Sequence, residues 1–240
     1  MLAASTTLNS GRVGVLLRGE PESLRAWLEG WDWRRVALCV SVILGGAGLY
    51  GAAMGYWRAP LQGAFVAIKF PLIILLTTIG NALLNAMLAP LLGLNLGLRQ
   101  SFLAILMSFT IASAILGSFS PIAAFAIWNA PPLSVDAKVS GGTYAVIQLM
   151  HVLVIAFAGI VANLRLVQLL QQLSGSAAIA RRVLFAWLAG NLFLGSQLSW
   201  ICRPFIGSPG LKVQFLRDNA FQGNFYETVF RSTAWLFTPN

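Results

Sequence analysis

The sequence predicts an all-α, polytopic membrane protein, a bundle of about five transmembrane helices with short amphipathic helices at its ends. Three observations carry this. Five long apolar stretches follow one another along the chain. Between Asp32 and Asp218 there is one carboxylate, Asp136. Only 10% of the 240 residues are charged, against about 25% in a soluble domain. A surface that meets lipid needs no polar coat, which accounts for the deficit.

The chain divides into a tail over 1–35, a membrane bundle over 36–205 and a second tail over 206–240. A span needs roughly 20 apolar residues to cross a hydrocarbon core of about 30 Å. The first runs from about Val36 to Tyr56, with Trp31 and Trp33 before it and Trp57 after it. Tryptophan suits the interface, because its ring is apolar and its N–H is polar. The stretch begins too late and runs too long for the apolar core of a secretory signal, so it is expected to remain as a span. Gly51 and Gly55 form a GxxxG pair, which lets helix backbones approach closely. Packing within the chain is favoured over homodimerisation.

The second span covers about 65–92 and carries Thr77, Thr78, Asn81 and Asn85 on one side. Residues four apart share a helix face, so Asn81 and Asn85 point together into the bundle. They either bond neighbouring helices or line a polar cavity. The third span, about 102–128, is expected to kink or break at Ser120-Pro121, where an i→i−4 hydrogen bond is lost. The fourth covers about 144–170. Its Tyr144, Gln148 and His151 fall at i, i+4 and i+7 on one face, and a neutral histidine bonded to an amide is the simplest reading. The fifth covers about 183–205. Pro131-Pro132 and Gly141-Gly142 mark 129–143 as an exposed loop.

Leu24, Trp27, Leu28 and Trp31 repeat at helical spacing after Pro21, an interfacial helix pattern. At the other end, Asn224 and Glu227 are spaced as a helix cap. Loop charges set orientation. Eight basic residues lie on the side of the N-terminal tail (Arg12, Arg18, Arg25, Arg34, Arg35, Arg99, Arg181 and Arg182), against Arg58 and Lys138 opposite. A cytoplasmic N-terminus is expected.

The net charge of +9 sits mainly outside the spans. Anionic lipid headgroups are therefore the expected partner, together with another membrane protein or a second copy. Nucleic acid is not, since no basic, aromatic-interleaved module is present. Lys69, His151, Arg165 and Arg203 are ionisable groups at membrane depth with no carboxylate in the spans to pair them. For Lys69, Arg165 and Arg203 the alternatives are snorkelling to the interface or contact with a lipid phosphate or anion.

No cofactor or metal site is expected. Cys39 and Cys202 show no CxxC spacing and read as free thiols. Phosphate-loop and dinucleotide fingerprints are missing. Gly117-Ser118-Phe119-Ser120 with His151 is not a nucleophile elbow, and an aspartyl protease would need two intramembrane aspartates. The expected function is non-enzymatic: a membrane scaffold or assembly subunit binding lipid or a partner membrane protein. The alternative is a small channel or transporter for an anion or neutral solute, lined by Asn81, Asn85, Gln148 and His151.

The run Ala67-Ile68-Lys69-Phe70-Pro71-Leu72 through Thr77, then Ser120-Pro121, resembles a group of uncharacterised bacterial integral membrane proteins. So do Gly190-Asn191, Gly195-Ser196-Gln197, Arg203-Pro204-Phe205 and Gly207-Ser208-Pro209-Gly210. The five-span arrangement is also similar to the Yip1 family of membrane-trafficking proteins. Its aspartate-leucine-tyrosine-glycine-proline signature is absent here, so no functional residue carries over. The resemblance implies an inner-membrane location.

Overall fold

A computed structural model describes residues 31–132, 137–207 and 212–227. Five helices make up the bundle: α1 (Trp33–Tyr56), α2 (Pro60–Leu91), α3 (Leu98–Trp128), α4 (Ala137–Ser174) and α5 (Ala177–Ile201). All five are long and apolar enough to cross a membrane. The chain is thus an all-α, multi-pass integral membrane protein.

Several helix ends depart from the sequence reading. Helix α2 starts at Pro60, where proline suits a first turn because its missing N–H has no partner there anyway. Helix α4 starts at Ala137, so much of the predicted 129–143 loop is helical. Helix α5 ends at Ile201, four residues before the predicted limit. Helix α3 runs unbroken through Pro121. The carbonyl freed by this proline is that of Gly117, and the Ser120 hydroxyl donates to it at 2.7 Å. The Ser-Pro pair therefore repairs the ladder that proline alone would open. The pattern Leu24-Trp27-Leu28 lies outside the described residues.

Helix α1 packs against α2 and α3, and α2 also touches α3 and α5. The GxxxG face is turned inward. A Cβ added at Gly51 would lie 2.7 Å from the Val66 carbonyl oxygen, and one at Gly55 would lie 2.7 Å from that of Gln62. Gly63 answers from α2, where an added Cβ would meet the Ala52 carbonyl at 2.9 Å. Gly46 and Gly117 bring α1 and α3 at least as close. These small residues let backbones meet, and in lipid such contact is what holds helices together.

Helix α4 packs on α3 and α5. The α4–α5 turn is tight, with Gly175 at φ +62°, a left-handed conformation that glycine adopts at least cost. Near this turn the two helices share a core of Leu166, Leu169, Ala180, Val183 and Trp187. Toward their other ends they stand on either side of a cavity.

Candidate functional site

The cavity has a volume of about 440 Å³. Its walls come from α1, α2, α4, the end of α5, the segment Arg203–Gly207 and Arg217. Met54, Phe70, Val152, Ile155, Phe205 and Ile206 form the apolar part. Tyr144, Gln148, His151, Ser199, Arg203 and Arg217 form the polar part, without a carboxylate. Gln148, Val152 and Ile155 are exposed, so the cavity opens sideways along α4, toward the surface that faces lipid.

The floor is built by anchoring the backbone that follows α5. Gln62 donates to the Pro204 and Phe205 carbonyls at 2.9 and 2.8 Å. The Lys69 ammonium donates to Pro204 at 3.0 Å. Its nitrogen also lies 5.0 Å from the centroid of Phe215 and 6.0 Å from that of Phe65, within range of a cation–π attraction. Lys69 is fully buried. It neither snorkels nor reaches the lipid surface; its charge is met by a carbonyl and two ring faces.

The second tail also contributes. Residues 219–226 run back along α5, antiparallel to it. Arg203 donates to the Asn219 carbonyl at 3.3 Å, and the Trp200 indole N–H to Gln222 at 3.3 Å. The Phe225 amide donates to the Gln197 side chain at 3.0 Å. Tyr226 donates to the Leu192 carbonyl at 3.2 Å and stacks on Phe193. Leu192 lies nine residues before Ile201, roughly 14 Å along the helix. The tail thus docks on the bundle. Asn224 Oδ1 accepts from the Glu227 amide at 2.8 Å, a bond of the predicted cap.

This docking brings Arg217 to the cavity beside Arg203. Arg203 also donates to the Trp200 carbonyl at 2.7 Å, with its guanidinium carbon 3.8 Å from the centroid of that indole. Burial and, secondarily, the Arg217 charge both lower the Arg203 pKa from its ordinary value. Neither arginine has a carboxylate within ion-pair distance among the described residues. Two guanidinium groups at one cavity, with no carboxylate beside them among the described residues, favour an anion.

His151 lies deeper. It is 2% exposed, and its Nδ1 is 2.9 Å from the Tyr50 hydroxyl. The expected amide partner is replaced by a tyrosine of α1. His151 Nε2 is buried without a hydrogen-bond partner among the described residues. Tyr50 is itself fully buried and six residues from the end of α1, about 9 Å along it.

The remaining candidates lie elsewhere. Asn81 and Asn85 are fully buried, but they face α5. Asn81 donates to the Trp187 carbonyl at 3.2 Å and to Asn191, and Asn85 donates to both the Asn81 carbonyl and side chain at 2.8 Å. A Cβ on Gly190 would collide with the Asn81 side chain. Asn81 and Asn85 therefore do not share a pathway with Gln148 and His151. Arg165 sits on α4, bonded to Gln168 at 3.3 Å, and does not line the cavity. Ser118 and Ser120 spend their hydroxyls on their own helix, so no serine–histidine pair forms. Cys39 is buried and Cys202 half-buried, both free thiols.

Sequence reasoning missed Tyr50, Arg217, Asn191 and the role of Gln62. Tyr50 meets His151 across 101 residues, and no local spacing signals such a pair. Arg217 carried a weak signal as a basic residue soon after the last span.

The fold and site together define a multi-pass helical membrane protein with a laterally open cavity, basic at one end and apolar along its wall. Comparison with family models, curated proteins and solved structures finds nothing that matches the chain.

Proposed function

We propose that this protein is a non-enzymatic membrane scaffold or assembly subunit that holds an anionic lipid in the cavity between α4 and α5. The supporting observation is the pair Arg203 and Arg217, which no carboxylate among the described residues neutralises, beside an apolar wall open to lipid. A charge desolvated at such a site needs a partner, and a lipid phosphate supplies one while its chains occupy the apolar part. Arginine is suited to the task because its planar fork grips phosphate oxygens in pairs. The conduit alternative gains no support from a shared polar path, since Asn81 and Asn85 bond to α5 and their neighbours away from His151. The eight-to-two loop charge bias supports an inner-membrane orientation with the N-terminus in the cytoplasm. A cysteine at position 182 should then label only after permeabilisation; labelling from outside would reverse the orientation.

Mass spectrometry of the protein purified in mild detergent tests the lipid reading. Wild type should carry co-purified anionic phospholipid. The double variant Arg203→Gln, Arg217→Gln should lose most of it, with helical content by circular dichroism unchanged. Arg203→Lys should retain less than wild type, because a point charge replaces the fork. Equal lipid in all three proteins would remove the reading.

A further inference from the structure

Arg217 belongs to no helix. It reaches the cavity on the segment 212–226, which is held to the bundle on both sides of it. Before Arg217, the Phe215 ring lies 5.0 Å from the Lys69 ammonium and meets Phe65 edge-on at 5.4 Å. After it, Asn219, Gln222, Phe225 and Tyr226 bond to α5 and to Arg203 just beyond it. Ser196, Gln197, Trp200 and Arg203 follow at spacings of one, three and three, so they share one face. The Ser196 hydroxyl lies 2.7 Å from that of Tyr226. Between the two anchors the chain bonds to itself. The Ala220 amide donates to the Arg217 carbonyl at 2.9 Å, and the Gln222 amide to that of Asn219 at 3.0 Å. Phe215, Gln197 and Tyr226 do not line the cavity, yet they fix where Arg217 lies.

These anchors are weak. Phe215, Asn219, Gln222, Phe225 and Tyr226 are all exposed, and a segment with few buried contacts opens locally at little cost. Docking is also opposed by charge. It brings the Arg217 guanidinium to the cavity that Arg203 lines, with no carboxylate beside either among the described residues. The adjacent Asp218 is exposed and does not line the cavity. After burial, the Arg217 charge is what lowers the Arg203 pKa. An anion between the two guanidinium groups removes this repulsion and is gripped by both forks. It therefore binds the docked segment more tightly than a released one, which is the condition for a ligand to shift such an equilibrium.

We infer that residues 212–226 form a strap whose docking on α5 is coupled to the anion in the cavity: a lipid phosphate held by Arg203 and Arg217 closes the strap, and its departure releases it. The inference rests on the lipid-binding reading above. Phe215, Gln197 and Tyr226 are then positioning residues, which set the affinity for the ligand through Arg217 without touching it. The coupling is reciprocal, so a change that loosens the strap also weakens the ligand.

The test titrates phosphatidylglycerol into the full-length protein in detergent. Native mass spectrometry reads the affinity, and hydrogen exchange of a peptide covering 219–226 reads the strap. Saturating phosphatidylglycerol should slow that exchange about tenfold, within the usual range for coupled sites, and diacylglycerol of the same chains should not. Gln197→Leu with Tyr226→Phe should weaken phosphatidylglycerol binding by about tenfold as well. In an Arg217→Gln background the same pair should change the affinity less than about twofold, because no guanidinium is left to position. Tyr226→Phe alone carries the test, with a smaller effect, should Gln197→Leu disturb α5. Unchanged affinity in the strap variants would overturn the inference, and so would an equal loss with and without Arg217. Phosphatidylglycerol that binds through Arg203 and Arg217 and leaves exchange at 219–226 unaltered would overturn it too, with the lipid-binding reading intact. Should phosphatidylglycerol not bind and inorganic phosphate slow the exchange instead, the lipid-binding reading fails and the coupling holds for a free anion. Should neither slow it, both fail.

Discussion

Gly55→Leu should destabilise the bundle by about 3 kcal/mol or more, and in a thermal melt in detergent it should show the largest loss of any single change proposed here. A Cβ at this position lies 2.7 Å from the Gln62 carbonyl oxygen, 2.8 Å from its carbon and 2.9 Å from the Gly63 nitrogen. All three atoms are backbone, so no side chain can swing away. Relief requires α1 and α2 to separate, and α1 also holds Met54 at the cavity and Tyr50 against His151. Gly51→Leu should act similarly through Val66 and Phe70. Gly45→Leu is the control: Gly45 is exposed and has nothing within 4 Å of an added Cβ, so it should melt within a few degrees of wild type. If Gly55→Leu melts like Gly45→Leu, the α1–α2 contact is wrong. If it dissociates a detergent-stable oligomer and leaves the monomer intact, the glycine face is intermolecular.

Asn81→Leu should cost about 2–3 kcal/mol, the second largest effect. A single interhelical hydrogen bond in a membrane averages only about 0.6 kcal/mol. Asn81, however, joins several: it donates to the Trp187 carbonyl and Asn191, and it accepts from Asn85. Replacement strands the Asn191 oxygen and one Asn85 interaction, and it presses a branched side chain against Gly190. The α2–α5 contact should loosen, measurable as faster hydrogen exchange across Trp187–Asn191. The double change Asn81→Leu, Asn191→Leu removes both partners and should recover part of the loss. A single variant that exchanges like wild type would show that the asparagines do not hold α5.

How much of this was legible in the sequence differs from element to element. The five spans were, because 20 or more apolar residues in lipid have no alternative to a helix. The inward turn of Gly51 and Gly55 and of Asn81 and Asn85 was legible too, from helical spacing. The course of α3 through Pro121 was not, since proline loses its bond locally while the repair depends on a neighbouring serine rotamer. The membrane-depth cations were visible as a group, but their separate fates were not. Lys69 is buried against Pro204, Arg165 bonds along its own helix, and Arg203 lines the cavity. What separates them is the path of the chain after α5, which turns back through Arg203–Gly207 and returns along α5 in 219–226. That path is held by long-range bonds from Gln62, Lys69 and Gln197, which no local pattern encodes. The same holds for Tyr50 and His151. His151 was visible in the sequence with an amide expected beside it, whereas its partner is the Tyr50 hydroxyl.

On the function proposed above, an anionic lipid occupies the cavity between α4 and α5. Photolabelling with an anionic phospholipid that carries a diazirine on its acyl chain tests it most directly, with adducts located by peptide mass spectrometry. Adducts should concentrate on Gln148–Ile155 and on the segment Ser199–Gly207, and should be lost in the Arg203→Gln, Arg217→Gln protein. Adducts spread evenly over exposed apolar residues such as Leu83, Met87 and Phe125, unchanged by the arginine replacements, would contradict it.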